Sequence, residues 1–80
     1  MSNEMKPDLT LDLKGLLCPM PVVKLAQAIK NVPVGGIIEA TATDPGVLAD
    51  IPAWAKTSGN ELLEMTRQDK VIRFVVRRTK

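Results

Sequence analysis

Leu9-Thr10-Leu11-Asp12-Leu13-Lys14-Gly15-Leu16-Leu17-Cys18-Pro19-Met20-Pro21-Val22-Val23-Lys24-Leu25-Ala26-Gln27-Ala28-Ile29 changes its apolar period partway along. Leu9, Leu11 and Leu13 recur at every second position, the pattern of a half-buried strand. Val22, Leu25, Ala26 and Ile29 recur at helical spacing, with Lys24, Gln27, Lys30 and Asn31 elsewhere on the cylinder. The stretch therefore predicts a strand, then a tight connection over 14–17, then a helix from Pro19 to Asn31. Gly15 is free to give that connection an unusual backbone angle.

The same two periods alternate through the rest of the chain. Val32-Pro33-Val34-Gly35-Gly36 breaks the helix, and 37–43 is rich in β-branched residues with Ile38, Ala40 and Ala42 on one face. Asp44-Pro45-Gly46 reads as a turn, with Asp44 a cap in preference to a contact residue. Val47, Ile51, Trp54 and Ala55 then share a face of a second helix, so Trp54 is read as core before interface. Pro52 would cost about 3 kcal/mol inside a helix. The helix proper is therefore expected to begin near Asp50, with 45–49 a looser turn. Gly59-Asn60 closes it. Segments 62–67 and 71–78 form a hairpin around Gln68-Asp69, with Ile72, Phe74 and Val76 alternating with Arg73, Val75 and Arg77.

The expected fold is an α/β (α+β) two-layer sandwich of order β-α-β-α-β-β. It has a four-stranded mixed sheet with two helices on one face and water on the other. One domain is expected over 9–80, after a flexible N-terminal segment 1–8.

Composition removes several classes of function. Eighty residues with 45 % hydrophobic content support one modest core. A single cysteine leaves no intrachain disulfide and fits a reducing compartment. With no signal-like or membrane-spanning run, a cytoplasmic location and no membrane partner are expected. One cysteine and no histidine cannot build a zinc or transition-metal site. No phosphate-cradling glycine motif occurs. Eleven basic and nine acidic residues give a net charge of +2, and Lys70, Arg73, Arg77, Arg78 and Lys80 gather at the C-terminus. They form either a solvated strand and tail or a docking surface for an acidic partner or RNA. Trp54 and Phe74 are the only aromatic residues, too few for base stacking, so direct nucleic-acid binding is not expected.

Cys18 is the chemically distinctive residue. A residue before proline is pushed toward extended geometry, which suits a helix N-cap. Pro19 then falls at the first helical position and Pro21 within the first turn, where backbone donors are unpaired anyway. The prolines stiffen this junction and place the sulfur at the positive end of a helix dipole, which favours the thiolate. They also remove two backbone donors, so the activation is moderate. Lys14 is a second candidate positive charge. Asp12 either orients the loop beneath Cys18 or faces solvent, and Met20 is either a flexible contact beside the thiol or partly core.

A lone thiol has few uses. Cys–His hydrolysis needs a base, and dithiol redox chemistry needs a second cysteine. Covalent carriage remains, with sulfur as a persulfide the natural cargo. A redox sensor capped through a mixed disulfide is the competing use, and a small RNA-binding or regulatory module is a third reading.

The stretch Leu11-Asp12-Leu13-Lys14-Gly15-Leu16-Leu17-Cys18-Pro19-Met20-Pro21 resembles the signature of the TusA (SirA-like) sulfur-carrier family, whose core is Cys-Pro-x-Pro. The likeness continues through Val34-Gly35-Gly36, Ala42-Thr43-Asp44-Pro45-Gly46, Asp50-Ile51-Pro52-Ala53-Trp54 and Gly59-Asn60-Glu61-Leu62. It implies a sulfurtransferase-type carrier with no substrate pocket of its own, which holds sulfane sulfur as a persulfide on Cys18 and needs no other cofactor. Donors in the family are a cysteine desulfurase or a rhodanese. Acceptors serve tRNA thiolation, molybdenum-cofactor assembly or dissimilatory sulfur metabolism. Asp12, Gly15, Pro19 and Pro21 are then positioning residues, and Lys14, Met20, Asp44 and Trp54 are candidate partner contacts. Met20 stands where some tRNA-thiolation members carry glutamate, Leu17 where some carry a basic residue, and Ala55 where some carry a second cysteine. These changes make the site more apolar and lean toward the sulfur-oxidising members.

Overall fold

The leucine alternation forms the first strand of a computed structural model that describes residues 7–80. β1 (Leu9–Leu13) pairs in parallel with β2 (Ile37–Ala42), setting Leu9, Leu11 and Leu13 opposite Ile38, Ala40 and Ala42. Side chains alternate across a strand, so both triplets face one side of the sheet. α1 (Met20–Ala28), extended by a 3-10 turn at Ile29–Asn31, and α2 (Val47–Ser58) supply the other side of the core. β3 (Glu61–Gln68) and β4 (Val71–Arg77) complete the chain.

The sheet order is β1-β2-β4-β3, with β4 antiparallel to both neighbours. β1, β2 and β3 therefore run the same way. Both crossovers step in one direction across the sheet, which puts both helices on the same face when their hand is the usual one. The expected two-layer architecture is the observed one.

The core is built from the predicted stripes with one rotation. Phe74, Ile72, Val76, Ile38, Leu25 and Ile51 are fully buried. Each such side chain contributes about 1.5–3 kcal/mol through burial. On α1 the buried line is Pro21, Leu25 and Ala28, continuing to Ile29, while Val22 and Ala26 are only half-buried. Pro21 is thus a core residue as well as a stiffener of the first turn.

Three expectations need correction. α2 begins at Val47, not near Asp50, and runs straight through Pro52. Its first donors are already used: Val47, Leu48 and Ala49 N–H bond to the carbonyls of Asp44, Pro45 and Gly46. Pro52 forfeits one bond, to the carbonyl of Leu48 on the exposed first turn, and the buried Val47, Ile51 and Ala55 hold the helix on both sides of it.

α1 begins at Met20 with Pro19 as its N-cap, so Cys18, expected to be the cap, lies one residue before it. The Met20 N–H closes a turn on the Leu17 carbonyl (2.8 Å), and the first helical acceptor is Pro19, bonded by Val23 N–H (3.1 Å).

The open face is also drier than its alternation suggests. Val75 is 2 % exposed there. It stands in register between Glu39 and Glu64, and both carboxylates accept hydrogen bonds from Arg73 on the same face. That charged cover shields the valine.

Residues 1–6 of the expected leading segment 1–8 lie outside the described residues. Asp8 is bonded twice to Ile37: its N–H donates to the Ile37 carbonyl (2.7 Å), and its Oδ2 accepts the Ile37 N–H (2.8 Å).

Candidate functional site

Cys18 is exposed, and three segments meet around it: the β1–α1 loop, the β2–α2 loop and the first turn of α2. The loop carrying it is tied down from both ends. Gly15 takes φ +85°, a left-handed angle that only glycine adopts freely, and its N–H donates to Thr43 Oγ1 (2.9 Å) at the end of β2. The Cys18 N–H donates to Asp44 Oδ2 (2.5 Å). The Cys18–Pro19 peptide bond is cis.

Asp44 is not the cap of α2. That position belongs to Gly46, with no side-chain cap bond. Asp44 instead accepts the Gly46 N–H on Oδ1 (3.0 Å) and the Cys18 N–H on Oδ2, stitching the start of α2 to the thiol loop. Those backbone donors, Gly46 first and then Cys18, hold its carboxyl below the usual carboxylate range.

The sulfur has a partner that sequence reasoning did not assign to it. Cys18 Sγ donates to Asp50 Oδ2 at 2.5 Å. The hydrogen bond to Asp50 leads the causes that push the thiol above its ordinary value, followed by desolvation and the charges of Asp50 and Asp44. The expected thiolate-favouring environment is therefore reversed. A helix dipole offers about half a positive charge, while Asp50 brings a full negative one into contact. Lys14 does not offset this, because its ammonium pairs with Asp12 Oδ1 (3.5 Å). Asp12 also accepts the Lys14 N–H (3.1 Å), so its carboxylate shapes the turn after β1 through Lys14.

Beyond the two carboxylates, the thiol loop and the helix starts expose apolar side chains. Leu17 is 74 % exposed, and Met20, Val23 and Leu48 are also large exposed hydrophobics on the same two helix starts. Met20 is thus a surface residue. Trp54 lies farther along α2, half-buried against the core. Two surface clefts, one between β1 and α1 and one on the open sheet face, do not include Cys18. Among the described residues no cluster of His, Cys, Asp and Glu could hold a metal ion, and no helix is long and apolar enough to cross a membrane.

The basic C-terminal strand spends much of its charge within the protein. Arg73 bonds Glu39 and Glu64, Arg77 bonds Glu61, and Arg78 donates to the Val32 carbonyl (2.7 Å).

A loop-borne thiol at the mouth of a two-helix, four-strand sandwich matches a known group of sulfur-handling proteins. The family model described as Sulfurtransferase TusA matches residues 9–78. YrkI of Bacillus subtilis is 42 % identical over 74 residues, covering 92 % of this chain and 99 % of its own. The sulfur carrier protein TusA of Pseudomonas putida strain GB-1 is 36 % identical over 76 residues, covering 95 % of each chain. The crystal structure of the SirA-like protein from Desulfitobacterium hafniense superposes with a TM-score of 0.71 at 23 % identity, over 90 % of this chain and 99 % of that one. At that identity the likeness concerns the fold. The chain belongs to the TusA family of sulfur carriers. Membership in a carrier family implies a protein that supplies sulfur and a protein that receives it.

Proposed function

We propose that this protein takes sulfane sulfur from one protein as a persulfide on Cys18 and hands it to another. The observation that carries the reading is the exposed, proline-framed thiol, with Leu17 and Met20 beside it in the chain also exposed. A carrier must present its sulfur inside the active sites of other proteins, and an exposed thiol with exposed apolar neighbours suits that contact. The cargo is the covalently held sulfur itself, so no separate cofactor takes part. The donor is a cysteine desulfurase or a rhodanese, and a reducing compartment such as the cytoplasm keeps the thiol available.

Among destinations, the apolar Leu17 and Met20 favour an acceptor of dissimilatory sulfur metabolism over a tRNA-thiolation partner. The internally paired Arg73 and Arg77 weigh against direct RNA contact.

Incubation with a desulfurase and cysteine, or with a rhodanese and thiosulfate, is expected to add the mass of one sulfur atom. A reductant should remove it, and Cys18→Ser should never acquire it. A wild-type protein that gains no sulfur from either system sinks the carrier reading.

A further inference from the structure

Among the described residues, Asp50 is the charged side chain bonded to the reacting sulfur, accepting a 2.5 Å hydrogen bond from the thiol. Around Cys18 the other charged groups are committed. Asp44 is occupied by the N–H groups of Gly46 and Cys18, and Lys14 by Asp12. No histidine exists in the chain to act as a base. A thiol becomes nucleophilic only as it loses its proton, and two neighbouring carboxylates oppose a free-standing thiolate. The proton must therefore leave as the sulfur attacks.

We propose that Asp50 is the proton acceptor for Cys18 in sulfur capture and the proton donor when the sulfur is passed on. This rests on the carrier reading. In capture, Cys18 Sγ attacks the outer sulfur of a donor persulfide and a new S–S bond forms. The donor's S–S bond breaks, and its cysteine departs with the electron pair as a thiolate. The Cys18 proton moves to Asp50 Oδ2 along the existing hydrogen bond. In delivery, an acceptor thiolate attacks the same outer sulfur, and Cys18 Sγ leaves with the bonding pair and takes its proton back from Asp50. Cys18 ends as a thiol and Asp50 as a carboxylate. One sulfur atom has moved, and no oxidant or reductant is needed. At rest the arrangement keeps the thiol protonated and slow toward unspecific electrophiles.

The test compares full-length wild type, Asp50→Asn and Asp50→Glu. Glutathione persulfide is the sulfur source, intact mass the loading readout, and iodoacetamide alkylation across pH the thiol titration. Asp50→Asn is expected to ionise its thiol at lower pH and alkylate faster at neutral pH. It should nevertheless load sulfur about 10²-fold more slowly, the size of a modest general-base contribution. Asp50→Glu, which restores a carboxylate, should recover part of the loading rate. A merely structural role would not move alkylation and loading in opposite directions. Should Asp50→Asn fail to fold by circular dichroism, Asp50→Ser, a smaller uncharged side chain, provides the same comparison. If wild type loads and the Asn variant loads as fast or faster, Asp50 only restrains the thiol and the proposal falls alone. A wild type that takes no sulfur overturns the carrier reading and this assignment together.

Discussion

The two helices start in contrasting ways at the same end of the sheet. α1 has a proline N-cap, no side-chain cap bond and no acidic residue in its first turn, and it displays the thiol. α2 starts from Gly46 and carries Asp50 in its first turn, with Asp44 two residues upstream of its cap. Two helix starts at one end of the sheet therefore do different work. The first presents the sulfur, and the second sets a carboxylate against it. A helix terminus alone is a poor guide to thiol reactivity, because one carboxylate in contact outweighs the dipole behind the cysteine.

The division can be broken most severely by loosening the second start. Ile51 is fully buried one residue beyond Asp50 and anchors that turn to the core. Ile51→Ala is expected to cost about 2–5 kcal/mol of stability in denaturant unfolding. An unchanged midpoint would show that α2 is not held by this side chain.

A smaller effect should come from Asp44, which joins the two starts. Its carboxyl is lowered in the fold, so its contribution is present above the ordinary carboxylate value and is lost as pH falls through that value to the lower folded one. Asp44→Asn should melt at a lower temperature than wild type at neutral pH, and the gap should narrow steadily as pH is lowered from about 5 through the ordinary carboxylate value. A gap constant across that range would mean that Asp44 acts without its charge.

The smallest effect is expected at Lys14. Its exposed pairing with Asp12 is of the kind that contributes little. Lys14→Met should leave the pH dependence of Cys18 alkylation unchanged, and a clear shift would return the lysine to the thiol's surroundings.

Much of the fold was legible because its signals are local. The alternation of Leu9, Leu11 and Leu13, the β-branched run at 37–43 and the Ile72-Phe74-Val76 alternation each specify a buried face within a few residues. Helix boundaries were less legible. At α2, Pro52 is a strong local signal against a helix, but buried Val47, Ile51 and Ala55 outweigh it. At α1, the pull of proline toward its own preceding residue suggested a cap at Cys18, whereas the turn from Leu17 to Met20 moved it to Pro19. Asp50 carried a visible hint, as an acidic residue in a motif that followed the family pattern. Nothing local said that it faced the sulfur.

By itself the sequence determined that one thiol, lacking a histidine or a second cysteine, must work with other molecules, and that it sits between a strand and a helix. Residue types, counts and short-range periods are enough for that, since they depend on no distant contact. Tertiary structure alone decided what surrounds the sulfur. Asp44 and Asp50 are 26 and 32 residues away along the chain and reach Cys18 only because the β1–α1 and β2–α2 connections emerge at the same end of parallel neighbouring strands. The chemical character of Cys18 follows from that parallel pairing, which turns an expected thiolate into a hydrogen-bonded thiol.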